Sequence, residues 1–468
     1  MDALRHCFPP NLRQYLNELP ETLDETYDRI LKGISKAQKN NAHRLLQCLT
    51  VAVRPLLVAE LAELLAFDFQ ASTSRGIPTL KEDWRWDDQE EAVLSTCSSL
   101  IAVISCDDTR VVQFSHFSVK EYLTSSRLAH SPHGEVSQFR IDLEPAHTIT
   151  AQACLATLLH LDEHAGTGDA KVSPLVKYAA QHWVDHTQFE EVSSRVREGM
   201  DDLFDSSKPH FAAWLQEHDI DESWGYLNPD LEDGVGSPLY YAAFCGFYDL
   251  AERLLTKHPN QVNARGGRIF APLPAALYKK HFCVANLLYS HGAVVDVRGD
   301  YERTPLYVAS NGQVDILRWL LDHGADANAR NCYGVSPLSR AAYTLYDDAV
   351  QVLLDHNADI NSQSDGGETP LYWVLTRDYI EIEDTVTDIV RRLLEHGADP
   401  NISRNDKSTP LHRASSKGFL EATRLLLSYG AKVDEDDKSG MTPFQLAASE
   451  GHDEVTKLLL KHGAVPQQ

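Results

Sequence analysis

The sequence predicts a mainly α-helical chain, in which a small domain with one β-hairpin and a helical linker bundle precede an α-solenoid. A proline-containing phrase recurs seven times in the second half, and amphipathic helical patterns surround one pair of β-type runs in the first half. The predicted parts are an N-terminal helical segment (1–35), the small domain (36–130), the linker bundle (145–230) and the seven-unit solenoid (235–468). The chain of 468 residues is long enough for roughly two to four domains.

Composition and charge narrow the classes of partner. Hydrophobic residues make up 43% and charged residues 24% of the chain, as in ordinary globular proteins. The formal net charge of −25 repels nucleic acids and anionic lipids, and it favours basic or neutral protein partners. No run approaches the roughly 18–20 apolar residues of a membrane span, and the eight cysteines form no C-x-x-C pair. We therefore expect a cytoplasmic chain that binds neither nucleic acid nor membrane.

The second half repeats one phrase at a nearly constant interval. A Ser/Thr/Ala-Pro-Leu or Pro-Phe step recurs with its prolines at Pro238, Pro272, Pro305, Pro337, Pro370, Pro410 and Pro443. The intervals are 34, 33, 32, 33, 40 and 33 residues, and a second phrase such as Leu-Leu-Asp-His-Gly-Ala (320–325) follows each step. Ser or Thr before the proline caps a first helix, the proline occupies its first turn, and the glycine ends a second helix.

This pattern over about residues 235–468 resembles the ankyrin repeat. One such unit is too small to bury its apolar face alone, whereas seven stacked units share a continuous core. The resemblance implies a protein ligand on the concave side, at the turn tips and the exposed positions of the first helices. Counting from each proline gives aromatic and basic candidates for that contact, the side chains that most often anchor interfaces. They are Phe244, Tyr278, Lys279, Tyr301, Arg303, Tyr333, Tyr343 and Arg377.

Several units depart from the family pattern. The family's histidine after Pro-Leu is present only as His412, and tyrosine replaces it at Tyr240, Tyr307 and Tyr372. We expect Pro274 to distort the first helix of the second unit, because proline removes a donor and clashes within helices. The fifth unit has about seven extra residues around 378–384, which predict an acidic loop or a longer helix. Asn357 replaces glycine at the left-handed position of the fourth unit.

The first half predicts helices around a hairpin. Residues 10–34 form an amphipathic pattern in which Thr22 and Glu25 have capping-box spacing. Two β runs, 100–105 and 111–116, predict the hairpin, and Ser118 and Glu121 are expected to cap the helix that follows it. The other predicted helices lie near 42–51, 58–66, 89–98, 119–128, 151–161, 175–186 and 192–204, with one more starting at 208.

Two phrases in this half, residues 18–31 and 114–123, are similar to the winged-helix segment that follows the NACHT module of fungal NOD-like receptors. This segment type is also labelled after GPI-inositol-deacylase, and the likeness covers about residues 10–130. The resemblance implies a signalling ATPase of the STAND class with ankyrin repeats as its sensor. It also implies that His116 contacts the ADP β-phosphate of a nucleotide module supplied elsewhere; the alternative is a partly buried histidine that hydrogen-bonds the hairpin. The chain has no G-x-x-x-x-G-K-[ST] loop, so we expect a receptor that lacks its nucleotide-binding module.

Other chemistry is disfavoured by the pattern. His160 and His164 match the H-x-x-E-H zinc-protease motif, but no third ligand follows in a matching context, and His182 and His186 form only a second candidate pair. The predicted helix at 89–98 has no basic residue with which to contact DNA. We therefore expect no enzyme activity, no catalytic residue, no cofactor and no metal. The main hypothesis is a protein-binding scaffold, the alternative is the regulatory part of a nucleotide-dependent switch, and partner and oligomeric state stay open.

Overall fold

The computed structural model describes residues 22–70, 76–97, 99–106, 109–129, 134–161, 173–221, 236–376 and 383–466. The chain divides into two compact units, Met1–Leu227 and Asn228–Gln468. Both are mainly helical, as the sequence predicts, and each has its own buried core. Within the described ranges, none of the helices combines the length and the hydropathy that a transmembrane segment requires.

The described part of residues 22–97 contains four α-helices and three short strands. The helices are α1 (Leu23–Gly33), α2 (Lys39–Val51), α3 (Val58–Glu63) and α4 (Gln89–Cys97). The strands are β1 (Leu56–Leu57), β2 (Phe67–Asp68) and β3 (Thr79–Leu80), and β2 pairs with β3. The side chain of Thr22 accepts a hydrogen bond from the Glu25 amide at 3.2 Å, which confirms the predicted cap of α1. The earlier part of the predicted 10–34 helix lies outside the described residues.

The predicted hairpin is confirmed. Strand β4 (Ile101–Cys106) pairs antiparallel with β5 (Thr109–Phe114), in a register that places Val103 opposite Val112. Strand β1 pairs with the other edge of β5, so the sheet has the order β1-β5-β4. Both strands run one or two residues away from their predicted bounds, since the pairing extends to Cys106 and Thr109.

The helix after the hairpin begins earlier than predicted. Helix α5 spans Phe117–Thr124, and α6 (Ser126–Ala129) follows it. The prediction that Ser118 and Glu121 cap this helix is wrong, since the cap is His116, whose Nδ1 accepts a hydrogen bond from the Ser118 amide at 3.2 Å. An imidazole nitrogen here satisfies a helix-end amide in the way that a hydroxyl usually does.

Five further α-helices follow in the described part of the first unit. They are α7 (Leu143–Leu159), α8 (Val176–Thr187), α9 (Val192–Arg195), α10 (Arg197–Leu203) and α11 (His210–Glu217). Helix α7 is the central one, and its Thr150 hydroxyl lies 3.5 Å from the Cys48 sulfur of α2. The fully buried rings of Trp183 and Trp214 pack edge to face at 5.3 Å, and the Trp214 indole donates to the Ala180 carbonyl.

A buried histidine lies where α7 and α8 meet. The His186 ring is fully buried, with its Nε2 atom 2.8 Å from the Tyr178 hydroxyl and its Nδ1 atom 3.0 Å from the Nδ1 atom of His147. The Tyr178 hydroxyl also accepts the Val53 amide at 3.3 Å. Burial, with a smaller contribution from the charges of His147 and His182, lowers the pKa of His186 to about 3.

The second unit consists of seven consecutive helix pairs. Their first helices are α12 (Pro238–Phe244), α14 (Pro272–Tyr278), α16 (Pro305–Ala309), α18 (Pro337–Thr344), α20 (Pro370–Val374), α22 (Pro410–Lys417) and α24 (Pro443–Ser449). Their second helices are α13 (Tyr248–Lys257), α15 (Phe282–Ser290), α17 (Val314–Asp322), α19 (Asp347–Asp355), α21 (Glu383–Glu395), α23 (Leu420–Ser428) and α25 (Asp453–Lys461). All seven predicted repeats are therefore helical hairpins.

The repeated caps form as predicted. The hydroxyl before the proline accepts an amide hydrogen bond in six of the seven first helices, at Ser237, Thr304, Ser336, Thr369, Thr409 and Thr442. Asn357 takes the left-handed conformation, with φ of 59°, at the position where most other units have glycine. The hydroxyl caps fix the residue at which each first helix begins, and so help to keep the repeats in register.

The second unit departs from its prediction, whereas the fifth follows one of its two predicted forms. The predicted distortion by Pro274 is wrong, since α14 is continuous from Pro272 to Tyr278. Pro274 lies in the first turn of the helix, where no amide donor has a partner to lose. The fifth unit contains a longer second helix, 13 residues in α21 against nine in α17. Residues 377–382 of its insertion lie outside the described residues.

Small residues let neighbouring first helices approach. The Ala-Ala pairs at 242–243 and 341–342 are fully buried, as are Leu320 and Leu393 of the second helices. In the last unit Ala447 is buried while Ala448 is exposed. Burying such apolar surface between units contributes roughly 25 cal/mol per Å², which is the main stabilisation of a stacked array.

We expect the first unit to lose stability in acid because of His186. Its folded-state pKa of about 3 lies below the unfolded value of 6.5, so the unfolded chain binds the proton more tightly. The histidine's contribution is fully present above about pH 6.5 and is lost as the pH falls toward 3. At about 1.4 kcal/mol per pH unit, roughly 2 kcal/mol disappears between pH 7 and pH 5.

Urea unfolding followed by tryptophan fluorescence measures this effect. The variant His186→Phe should unfold with a smaller difference between pH 7 and pH 5 than the parent chain. His258→Phe, at an exposed histidine of the other unit, should leave the difference unchanged. An identical pH dependence in His186→Phe and the parent would contradict the assignment.

Candidate protein-binding groove

A groove of about 480 Å³ lies between the turns and first helices of the third, fourth and fifth repeats. It contains three of the sequence-predicted residues, Arg303, Tyr333 and Tyr343. The other side chains and backbone that line it are Tyr307, Asn331, Val335, Ser339, Arg340, Ser364, Asp365, Gly366, Glu368 and Trp373. The groove is thus assembled from several repeats, each of which contributes a few side chains.

Hydrogen bonds between successive turns hold the groove's rim. The Cys332 amide donates to the Tyr301 carbonyl at 2.9 Å, and the Asp365 amide donates to the Tyr333 carbonyl at 3.0 Å. The Asn405 amide continues the series with the Gly366 carbonyl at 3.0 Å. Because each bond joins one repeat to the next, the turn tips are fixed relative to each other as the repeats stack.

Tyr301 occupies its turn in a strained conformation. Its φ and ψ are 54° and 27°, in the left-handed region, and Glu302 beside it also has a positive φ of 57°. Neither residue is glycine, so the turn costs free energy that the surrounding contacts must offset. The Tyr301 ring stacks on the Tyr333 ring at 6.2 Å, and both tyrosines are about half exposed, at 49% and 56%. The strain thus accompanies an exposed aromatic pair.

Two arginines flank one tyrosine ring in the groove. The guanidinium carbons of Arg303 and Arg340 each lie 5.9 Å from the centre of the Tyr307 ring, and Arg303 lies 4.9 Å from the Tyr301 ring. Cation–π contacts of this kind orient a guanidinium without neutralising its charge. Tyr343 and Trp373 form the other aromatic pair, edge to face at 5.4 Å.

Of the two carboxylates that line the groove, only Glu368 has an arginine partner among the described residues. Glu368 pairs with Arg404 at 2.9 Å and also hydrogen-bonds the Ser364 hydroxyl. Asp365 is exposed at the tip of the fifth turn. One of the two carboxylates is therefore already neutralised by a neighbouring arginine.

The remaining sequence candidates lie elsewhere or outside the described residues. Phe244 is buried at 3% exposure, and the Lys279 ammonium lies 4.6 Å above its ring and 5.9 Å from the Tyr278 ring. These three residues form a separate cluster on the first and second repeats. Arg377 lies outside the described residues.

Counting from the prolines missed Arg340 and Trp373. Both stand three residues after the proline of their unit, whereas Tyr343 and Phe244 stand six residues after it. Positions three residues apart share a helix face, so the second offset follows from the first. The sequence signal was present, but only the packed first helices reveal that both offsets line one groove.

His116 is an exposed helix cap in the first unit. Its Nδ1 atom accepts the Ser118 amide and lies 2.5 Å from the Ser118 hydroxyl, which in turn lies 2.7 Å from the Tyr27 hydroxyl. Its ring packs against Phe117, with centroids 4.3 Å apart. The bonds of His116 therefore stabilise the start of α5, while its role toward a nucleotide stays a prediction.

The described residues that the sequence raised as possible metal or DNA ligands form hydrogen bonds and ion pairs within the first unit. His160 bonds the Ala156 carbonyl at 2.6 Å, His182 pairs with Asp185, and His164 lies outside the described residues. Among the residues that the structure describes, no group of three His, Cys, Asp or Glu side chains could hold a metal ion. On α4, Glu90 forms an ion pair with Arg110 of the hairpin.

Comparison with known families agrees with this architecture. Overlapping matches to the family described as ankyrin repeats (3 copies) run over residues 239–331, 273–364, 307–387 and 380–468. Residues 27–141 match the GPI inositol-deacylase, winged helix domain. The chain thus carries an ankyrin-repeat array together with a winged helix domain of the GPI inositol-deacylase type.

Similar proteins come from varied organisms. The azaphilone pigments biosynthesis cluster protein L of the fungus Monascus ruber is 31% identical over 300 residues, which cover 60% of this chain and 61% of that protein. A putative ankyrin repeat protein of Rickettsia felis is 34% identical over 145 residues, 29% of this chain and 60% of that protein. The human ankyrin repeat and SOCS box protein 11 is 34% identical over 114 residues, 24% of this chain and 34% of that protein. The chain thus spans about three fifths or less of each of these relatives.

We expect the strain at Tyr301 to be measurable. Tyr301→Gly removes a left-handed penalty of about 1–2 kcal/mol but adds roughly 0.4–1 kcal/mol of unfolded-state entropy, so its stability should stay within about 1 kcal/mol of the parent. Tyr301→Val loses the same ring and forces a β-branched residue into that conformation. Since the unfolded-state entropy of glycine offsets part of this penalty, chemical denaturation of the second unit should place Tyr301→Val about 1 kcal/mol below Tyr301→Gly. Equal stabilities would show that the turn carries no strain.

Proposed function

We propose that this chain is a non-catalytic protein-interaction module that binds a polypeptide partner along the concave face of its ankyrin repeats. The ankyrin repeats support a role as a protein–protein interaction scaffold, since stacked repeats of this kind present an extended binding surface. The observation that carries the proposal is the groove between the third and fifth repeats, where four aromatic rings and two arginines converge. Tyrosine, tryptophan and arginine are the side chains that most often anchor protein interfaces.

We also propose a signalling context for this chain. The winged helix domain accompanies NACHT modules in NOD-like receptors, which favours a cytoplasmic chain that reports partner binding to a signalling ATPase. In this arrangement the ankyrin array would sense the ligand, and the first unit would transmit or anchor that event.

A second candidate function is the regulatory part of a nucleotide-dependent switch whose nucleotide domain is supplied by another chain. The observation that favours it is the exposed His116 ring at the end of the wing, whose Nδ1 atom is occupied by Ser118. The opposite ring nitrogen, Nε2, is the atom with which this histidine would meet a phosphate oxygen.

Site-directed photo-crosslinking tests the protein-binding proposal. A p-benzoylphenylalanine in place of Tyr333 should form an adduct with the partner in an extract of the source cells. The matched control places the same group at Tyr429, a tyrosine at the end of α23 that is 44% exposed against 56% for Tyr333. We expect the adduct at Tyr333 to exceed that at Tyr429 at least about fivefold, as anchors lie at the centre of an interface. Equal adducts at both positions would contradict the assignment of the groove.

Calorimetric titration with ADP and ATP separates the two candidate functions. The scaffold proposal expects no saturable binding by the purified chain at nucleotide concentrations up to about 1 mM, a free energy of about −4 kcal/mol. Saturable micromolar binding that is lost in His116→Ala would favour the switch and would mean that the first unit itself forms a nucleotide site.

A further inference from the structure

Among the described residues, no carboxylate forms an ion pair with either arginine of the groove. Arg303 and Arg340 contact the rings of Tyr301 and Tyr307, and no hydrogen bond or ion pair joins either guanidinium to the described residues. The Nε atom of Arg303 is buried and has no hydrogen-bond partner among the described residues. A buried donor of this kind gains most from an acceptor that a ligand supplies.

A third donor lies at the other end of the same groove. The Trp373 indole Nε1 atom is buried and has no hydrogen-bond partner among the described residues. Its ring packs edge to face against Tyr343, so donor and aromatic surface lie side by side. The groove therefore combines hydrogen-bond donors with aromatic rings. Its unpaired donors, Arg303 Nε and Trp373 Nε1, would be satisfied by acceptor groups of a ligand.

The acidic side chains that line the groove do not neutralise its two arginines. Glu368 is bound by Arg404 and Ser364, which leaves the exposed Asp365 as the other carboxylate of the lining. Two unpaired guanidiniums thus face one exposed carboxylate, and the local charge is positive although the whole chain carries a net charge of −25. At physiological ionic strength charges more than about 8 Å apart are largely screened, so the local charge governs what binds in the groove.

We propose that the occupant of the groove is an acidic peptide segment. An Asp or Glu side chain of the segment binds between Arg303 and Arg340, and an adjacent apolar or aromatic side chain packs against Tyr333, Tyr343 and Trp373. This inference rests on the proposed function and specifies the chemistry of its partner. It departs from the preference for basic or neutral partners that the net charge alone suggests, because the two arginines outweigh the distant acids.

Selection from a display library tests the inference with the full chain as bait. Random 12-residue peptides are selected against the parent, the double variant Arg303→Gln/Arg340→Gln, and the control Arg318→Gln/Arg391→Gln. The control removes the same charge from the exposed faces of α17 and α21. Circular dichroism melting verifies that all three chains fold.

The parent and the control should enrich peptides with at least about twice the input content of Asp and Glu, and the double variant should not. By fluorescence polarisation, a selected peptide should bind the double variant at least about tenfold more weakly, as expected for lost charge-assisted hydrogen bonds. Its affinity for the parent should also fall between 50 and 300 mM NaCl, since salt screens the contact.

The outcomes separate this inference from the proposal on which it rests. Neutral or basic selected peptides whose binding is weakened by Tyr333→Ala would overturn the acidic assignment and leave the groove as the binding site. Acidic peptides that bind the double variant as tightly as the parent would overturn the role of the two arginines. Failure to enrich any peptide on the parent would contradict both statements.

Discussion

The structure of the second unit depends on one constraint, namely that no helix pair can bury its apolar face without a neighbour. The buried alanine pairs and leucines are covered by the adjacent repeat, and the turn amides bond to the carbonyls of the preceding turn. The groove follows directly, because its aromatic and basic side chains come from three consecutive repeats. Its geometry therefore exists only while those repeats stay stacked.

A side chain of the first helix hydrogen-bonds the next turn whether that side chain is histidine or tyrosine. His412 accepts the Thr409 amide at Nδ1 and donates through Nε2 to the Met441 carbonyl at 3.2 Å, and burial lowers the pKa of its imidazole. Tyr240 makes the corresponding link with opposite polarity, since its hydroxyl accepts the Ile269 amide at 3.2 Å. A tyrosine can thus replace the family histidine where the next turn offers a donor instead of an acceptor.

Local signals in the sequence were sufficient to predict the repeats, their caps and the hairpin. They act over a few residues, as at Thr22 and Asn357, so propensity and capping decide the outcome. The sequence did not predict the cap at His116, because imidazole is an uncommon cap. Nor did it predict that Arg340 and Trp373 join the groove, since they stand 33 residues apart and only stacking brings them together.

The insertion in the fifth repeat is confined between the two helices of one unit. The prolines on either side stand 40 residues apart, yet the Asn405 amide still bonds the Gly366 carbonyl as its counterparts do in the other repeats. Extra sequence at this point therefore changes neither the spacing nor the alignment of the turns that follow. It is a natural position for grafting a loop, tag or small domain, because length added there does not alter the register of the later repeats.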